Sequence, residues 1–221
     1  DLPATSLGTA FDSFFSALGA MARDPESPSL RAELGGAMSQ LNDRVRAMAA
    51  AGSDLRTAAQ KDLEASIAAA NQLAGQLAKV NASITLAKTD AGAFPSADLL
   101  DARDRIVGEL KAKVGGQSVA LADGSVSFYL AGQPLVEHEL SSVLRMDGTT
   151  AVLELSSGVG KLVQPLTREA VSGGSAGADL TLLEQFVPEF ESGLDTLVGD
   201  LASKVNALIP VAIGEIGRAH V

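Results

Sequence analysis

Apolar residues recur every three or four positions through the first part of the chain, a spacing that predicts amphipathic helices. The first of these helices, over roughly residues 8–22, carries its apolar stripe at Phe11, Phe14, Phe15, Leu18 and Met21. Ser27 and Pro28 then have the residue types of a helix N-cap and a first helical turn. No proline follows until residue 95, so we expect one long helix over most of that stretch.

The long helix carries a coiled-coil-like seam, in which apolar positions step alternately by four and three residues. The seam runs from Leu34 to Leu55 and resumes after a phase slip near Ala59, the mark of a stutter. A break near Gly52 is an alternative, since Gly costs a helix up to about 1 kcal/mol relative to Ala. Sixty helical residues would extend about 90 Å, and that length favours contact with other chains. We predict a packing core along the second stretch: Leu63, Ile67, Leu73, Leu77, Val80 and Ile84.

A turn over residues 89–94 and an N-cap at Ser96 precede a third helix that contains the segment LLDARDRIVGEL, residues 99–110. It is expected to run back along the long helix as an antiparallel hairpin. Its apolar stripe completes the predicted packing core with Leu99, Leu100, Ile106 and Leu110.

The charged residues of this third helix raise the alternative of a metal site. Asp101, Asp104 and Glu109 are acidic, but basic residues that include Arg103 lie between them. The i,i+4 spacings of Asp101–Arg105 and Glu109–Lys113 predict surface ion pairs, each worth roughly 0.2–0.5 kcal/mol. A salt-bridged helix face is therefore the favoured interpretation, with Asp101, Arg103 and Asp104 as part of the interaction surface.

The helical period ends at Gly115-Gly116, after which short alternating segments predict an antiparallel β unit. We expect strands at 117–121, 125–130, 135–140, 142–146 and 149–155, and another within 158–167. Asp123-Gly124 and Asp147-Gly148 are predicted two-residue hairpin turns. The segment SGGSAG, residues 172–177, predicts a flexible linker. A final helix is then expected from Asp179, kinked or divided by Pro188 and packed back on the rod.

Together these elements predict an α+β fold: a long antiparallel helical rod with a small antiparallel β unit inserted before a returning C-terminal helix. The expected domains are residues 1–114 for the N-terminal part of the rod, 115–171 for the β-rich subdomain and 172–214 for the linker and returning helix. The ending IGRAHV can be encoded by a string that resembles a common sequencing adapter, so we expect residues 215–221 to be non-native. The absence of a starting Met suggests a fragment.

Composition narrows the range of functions. The net charge of −10 over 221 residues argues against nucleic acid or an anionic membrane as a partner. No Cys is present, which excludes disulfides and Cys-bound metals. No apolar run is long enough to span a bilayer, and the N-terminal residues lack the pattern of a signal peptide.

Candidate chemistry is sparse. The segment Ser157–Lys161 lacks the full phosphate-loop pattern and is interpreted as a turn. Asn81-Ala82-Ser83 matches a glycosylation acceptor by chance within the long helix. His138 is predicted to lie in a strand with Glu137 and Glu139 on the opposite face, so the three do not converge on an ion. We therefore predict no catalytic residue, no cofactor, no metal site and no enzyme activity.

Several segments together resemble a known family. They are FFSAL at 14–18 and RDP at 23–25, Asn71 and Asn81 in the long helix, DLLDARD at 98–104, VSFYL with GQPLV at 126–136, and LDTL at 194–197. In this combination the chain resembles the hook-associated proteins of the bacterial hook–filament junction, in particular the first of the two junction proteins. The resemblance covers roughly residues 9–206.

The resemblance implies a structural role at the hook–filament junction, acting by subunit packing. It implies self-association in a ring, contacts with the hook protein and the second junction protein, and an export chaperone. It also implies an extracellular location, reached through the flagellar secretion apparatus without a cleaved signal peptide. Two alternatives stay open: a second junction protein or flagellin-like axial subunit, and a helical periplasmic or extracellular sensory or binding module.

Overall fold

The computed structural model describes residues 7–91, 95–147, 150–157, 160–165, 171 and 173–219. The helices are α1 (Leu7–Arg23), α2 (Pro28–Ala91), α3 (Ala97–Val114), α4 (Gly174–Thr181) and α5 (Val187–Ala219). The strands are β1 (Gln117–Ala120), β2 (Val126–Leu130), β3 (Gln133–Glu137), β4 (Leu140–Ser141), β5 (Val143–Asp147), β6 (Thr150–Ser157) and β7 (Gly160–Pro165). The predicted α+β fold, with a long helix and a small antiparallel β unit before the last helices, is confirmed.

The start of α2 follows the predicted capping chemistry. The Ser27 hydroxyl accepts a hydrogen bond from the backbone N–H of Leu30 at 3.4 Å, and Pro28 is the first helical residue. Proline suits this position because the first helical N–H groups have no intrahelical acceptor. The cap of α3 is also as predicted, since the Ser96 side chain accepts from the N–H of Leu99.

The alternative of a break near Gly52 is wrong, because α2 continues through this residue. Gly52 is buried, and a Cβ built on it would lie 3.0 Å from the Phe190 ring. The glycine therefore serves close packing of an aromatic ring against the helix backbone. The predicted turn at 89–94 also begins too early, since residues 89–91 still belong to α2 and residues 92–94 lie outside the described chain.

The β unit contains two antiparallel sheets, with strand orders β1-β2-β3-β4 and β5-β6-β7. The predicted strand over 135–140 is divided, because β3 ends at Glu137 and the chain turns at His138 with a φ of +52°. In the second sheet Asp147 is the last residue of β5 and pairs with Thr150, so the predicted turn Asp147-Gly148 begins one residue too early. The turn residues between them lie outside the described chain.

One two-residue turn of the first sheet lies where the sequence pattern did not predict it. Asp123-Gly124 lies in a five-residue connection between β1 and β2, so this predicted two-residue turn is wrong. Ala131-Gly132 joins β2 to β3 instead, with φ values of +45° and +78°. Positive φ at both central residues is the geometry of a type I′ hairpin turn.

The return from the β unit is helical where a flexible linker was expected. Helix α4 begins at Gly174, so residues 174–177 of the predicted linker and the predicted start at Asp179 are both corrected. Gly115, with φ +70°, meets Gly173 so closely that a Cβ on Gly115 would lie 2.8 Å from the Gly173 Cα. The ends of the insertion thus touch through backbone atoms, which only glycine permits.

Pro188 divides the last helix, as predicted. A five-residue π-turn, Leu182–Phe186, separates α4 from α5, and Pro188 is the second residue of α5. Proline has no N–H to donate to the carbonyl four residues earlier, and its ring collides with that carbonyl in a regular α-helix. The wider turn removes this conflict.

The chain forms two compact units, residues 1–55 with 187–221 and residues 56–186. In the first unit α1, the start of α2 and α5 share a core around Ala10, Phe14 and Leu41, to which the partly buried Leu201 and Val205 of α5 add. The second unit holds the larger core, shared by the end of α2, α3, α4 and the strands.

The glycine contact at the ends of the insertion generates a first prediction. Gly174 has a φ of +67°, and a Cβ there would lie 2.6 Å from the Lys113 carbonyl carbon. Gly174→Ala should therefore lower the free energy of unfolding by about 2 kcal/mol or more, measured by urea denaturation. Gly75→Ala is the matched control: nothing lies within 4 Å of its Cβ position, and this helical site should gain about 0.5–1 kcal/mol. Equal effects at both sites would contradict this explanation.

Candidate functional site

The largest packing surface of the second unit joins α2 and α3 to the β unit. Leu77, Ile106 and Leu110 are almost completely buried, and the strands meet them with Phe128, Leu130, Leu135, Val136 and Leu144. Full burial of each large apolar side chain contributes about 1.5–3 kcal/mol. Apolar contact therefore provides most of the driving force for docking the β unit.

The structure places the sequence-predicted residues at different depths in this surface. Leu99 and Leu100 are half-buried, Val80 is partly buried against the core, and the charged Asp101 and Asp104 are exposed. The remaining apolar members of the predicted set are buried: Leu63, Ile67, Leu73, Leu77, Ile84, Ile106 and Leu110. Arg103 is the exception among the charged residues, because its side chain is only 16% exposed.

Asn81 bridges two strands from the face of α2. Its Nδ2 donates to the carbonyl oxygens of Val126 at 2.8 Å and His138 at 2.7 Å, and its Oδ1 accepts from the Val126 N–H at 3.1 Å. The ladder of β2 and β3 includes the pair Phe128 and Val136, so Val126 and His138 lie where that ladder opens. The fully buried Asn81 amide takes the place of the missing strand contacts.

Asn71 makes the corresponding contact with the second sheet. Its Nδ2 donates to the Leu144 carbonyl oxygen at 2.7 Å, and its Oδ1 accepts from the Leu144 N–H at 2.8 Å. Because β5 is the edge of its sheet, the amide occupies one step of an otherwise open backbone edge. One helix thus holds each sheet through one asparagine.

Basic side chains hold the β1–β2 connection against the tip of the hairpin. Lys88 of α2 donates from Nζ to the Ala122 carbonyl oxygen at 2.7 Å, and Arg103 of α3 donates to the Gly124 carbonyl oxygen. The predicted ion pairs Asp101–Arg105 and Glu109–Lys113 are wrong, because Arg105 pairs with Glu109 at 2.8 Å and Arg103 with Asp104 at 2.7 Å. Arg103 serves tertiary docking as well as the helix surface.

Asp123 shapes the same connection internally. Its Oδ1 accepts from the Ser125 hydroxyl at 2.6 Å and from the Ser125 N–H at 2.9 Å. These hydrogen bonds, the hydroxyl first, hold the pKa of Asp123 below its ordinary value. The carboxylate therefore adds to the backbone bonds of this connection, in which the Gly124 N–H donates to the Leu121 carbonyl oxygen at 3.0 Å and the Leu121 N–H donates to the Ser125 carbonyl oxygen at 2.9 Å.

Helices α2 and α4 contact each other through two polar side chains. The hydroxyls of Ser66 and Ser175 lie 2.9 Å apart. One turn away on each helix are Asp62 and Asp179. Burial, together with the nearby charge of Asp62, raises the pKa of Asp179. Acidic pH therefore favours this contact.

The first unit contains an apolar groove of about 560 Å³ between α2 and α5. Phe14 and Leu41 contribute buried side chains to its lining, while Met38 and Val198 are exposed. The groove offers apolar contact but no charged side chain among its lining residues.

The candidate metal ligands are scattered among the described residues. Across those residues no group of three His, Asp or Glu side chains is placed to hold a metal ion. His138 is exposed in the turn after β3, and Ser157 pairs with Gly160 across a hairpin whose tip is not described. Within the same residues, no helix has the length and apolar character of a membrane span.

Comparison with known proteins identifies the fold and its family. The family model described as the flagellar hook-associated protein FlgK helical domain matches residues 1–210. The chain belongs to this family. Two curated relatives, the flagellar hook-associated protein 1 of Salmonella typhimurium and that of Salmonella typhi, are each 28% identical to the chain over 212 residues. Each match covers 92% of the chain and 38% of the relative.

A solved FlgK structure has the same fold. The flagellar hook junction protein FlgK from Burkholderia pseudomallei matches with a TM-score of 0.71 and 26% sequence identity, over 81% of this chain and 33% of that one. The chain thus spans little more than a third of the length of these FlgK relatives. The predicted resemblance is confirmed.

Sequence reasoning used Asn71 and Asn81 as marks of the family, considered Asn81 as a chance glycosylation acceptor, and missed the structural role of both. An isolated Asn within an apolar helix face is the available signal, because such a side chain needs partners when buried. The partners themselves, the backbones of Val126, His138 and Leu144, lie 45 to 73 residues away in sequence. Helical periodicity contains no information about them.

The Asn81 contacts generate a second prediction. Asn81→Ala leaves the Val126 N–H and two carbonyl oxygens without their partner, which should cost about 3 kcal/mol or more. Ser83→Ala is the control, since the exposed Ser83 hydroxyl bonds only the Lys79 carbonyl oxygen of its own helix and should change stability by less than about 0.5 kcal/mol. Thermal unfolding followed by circular dichroism measures both. A loss at Asn81 as small as at Ser83 would show that the amide bonds contribute little.

The two perturbed carboxyls generate a third prediction, with opposite signs. Because the pKa of Asp123 is lowered, the Asp123 carboxylate stabilises the folded protein at pH values above 3.8, the pKa of the unfolded chain. This stability is lost as the pH falls through the folded pKa. Because the pKa of Asp179 is raised, the protonated Asp179 carboxyl stabilises the folded protein at pH values below 3.8. This stability is lost as the pH rises through the folded pKa. At pH 7 Asp123→Asn should therefore destabilise the protein and Asp179→Asn should stabilise it. Urea midpoints between pH 3 and pH 7 test this, and shifts of the same sign at pH 7 would refute it.

Proposed function

We propose that this chain is the helical domain of a structural subunit at the bacterial hook–filament junction, acting by subunit packing without catalysis. The observation that carries the proposal is the match of residues 1–210 to the FlgK helical domain. The relatives are named for hook association and the hook junction. Because these relatives are longer than this chain, the proposal extends from this domain to the whole protein of which it is a part.

The architecture supports a load-bearing role. The polar side chains of the larger core bond backbone groups or each other, and among the described residues no buried side-chain nitrogen or oxygen lacks a partner. The predicted packing residues, Leu63–Ile84 with Leu99, Leu100, Ile106 and Leu110, would hold the β unit on the hairpin. Arg103 would add a polar link at the tip, while Asp101 and Asp104 would remain on the surface.

The proposed partners are other flagellar axial proteins: the hook protein, the second junction protein and further copies of the subunit in a ring. An export chaperone and an extracellular location in the flagellum, reached through the flagellar secretion apparatus, belong to the same proposal. The family assignment supports these partners, since hook association is the property for which the relatives are named.

A localisation experiment tests the proposal. The full-length protein containing this chain, with an epitope tag, is expressed in a strain that lacks its own first junction protein but makes hooks. Immunogold labelling should appear between hook and filament, and swimming should return. A correctly folded, exported protein that labels neither hook tips nor junctions would overturn the proposal.

Two matched leucine variants relate that outcome to the core. Leu110 is completely buried and Leu140 is 60% exposed. Leu110→Ala should destabilise the protein by about 2–5 kcal/mol and reduce labelling at the junction, whereas Leu140→Ala should leave folding unchanged. Normal labelling by a measurably unfolded Leu110→Ala protein would show that the core is not required for assembly.

A further inference from the structure

The segment between α4 and α5 contains one residue more than a regular α-helical turn would. The π-turn Leu182–Phe186 has α-helix directly on both sides. A π-turn bonds residue i to i+5 and so contains one residue more than an α-turn, and such turns inside α-helices are rare and often functional. A shift of hydrogen-bond partners is enough to move the extra residue along the helix.

Pro188 determines where the extra residue stays. An α-turn through this segment would need a hydrogen bond from residue 188 to the Glu184 carbonyl oxygen, and proline has no N–H to donate. Val187, beside it, is completely buried. The proline therefore favours the wide turn on the N-terminal side of α5.

The π-turn leaves a large aromatic side chain in solvent. Ala176 and Leu180 of α4 are buried, and Leu183 packs against the same core. At 100° per residue, a continued α-helix would place Phe186 about 60° from Leu183 around the helix axis, on the same side of the helix. In the π-turn Phe186 is instead 55% exposed, and exposed apolar area has a free-energy cost of about 25 cal/mol per Å².

We propose that Leu182–Phe186 is a two-state segment that exchanges between a π-turn presenting Phe186 to solvent and an α-turn drawing the ring toward Leu183. Pro188 holds the π-turn as the major state by removing the donor that the α-turn needs. This exchange concerns only the helical segment and does not depend on the function proposed above.

The chain has no Trp, so Phe186→Trp introduces a unique fluorescent reporter in the full chain. In this background Pro188→Ala restores the missing N–H, and acrylamide quenching of the indole should fall about twofold as the ring leaves solvent. Pro28→Ala is the matched control, because Pro28 also begins a helix but follows a loop rather than a π-turn. Its quenching should stay unchanged. Equal quenching in all three proteins would overturn the proposal.

Hydrogen exchange in the unmodified chain provides a second test that requires no variant. Amides of residues 182–187 should exchange about tenfold faster than those of 177–180 and 191–194, because the segment alternates between two bonding patterns. Pro188→Ala should remove this difference. Uniformly slow exchange across α4, the π-turn and α5 would show a single fixed state and refute the two-state segment.

Discussion

The buried amide of Asn81 is the contact on which the arrangement of the second unit depends. Apolar burial is non-directional and drives the β unit onto α2 and α3 without selecting one register. The amide is directional: it has a donor group and an acceptor, and both are used by backbone groups of Val126 and His138. A slip of one residue would leave these groups buried without partners, at a cost of about 1–3 kcal/mol each. Asn71 imposes the same requirement on β5.

Other features of the unit follow from that docking. With the strands held on α2, the insertion must leave α3 and return to α4 at nearly one point. Gly115 and Gly173 allow the two backbones to touch there. At the hairpin tip, Lys88 and Arg103 bond the carbonyls of the β1–β2 connection. These are hydrogen bonds to charged groups, stronger than neutral ones, and they secure the end of the unit farthest from the glycine contact.

This chemistry is consistent with the structural role proposed above. Its polar groups are used to position backbone, and the interleaved charges of residues 99–110 form local ion pairs and one tertiary contact. The segment that first raised the alternative of an acidic metal site is instead a helix face that fixes the hairpin to the β unit. The structural role proposed above would require this kind of fixed geometry.

The helices, the strand-rich insertion, the caps at Ser27 and Ser96 and the division at Pro188 could be predicted before folding was considered, because each depends on local spacing or on one residue's own chemistry. Glycine was harder to interpret. A break near Gly52 was an alternative and residues 172–177 were predicted as a linker, yet Gly52 admits the Phe190 ring and Gly174 and Gly177 lie in α4. What a glycine permits depends on the atom that approaches it, and only the tertiary structure contains that atom. The same reason applies to Asn71 and Asn81: their backbone partners are distant in sequence, and only folding brings them within hydrogen-bond distance.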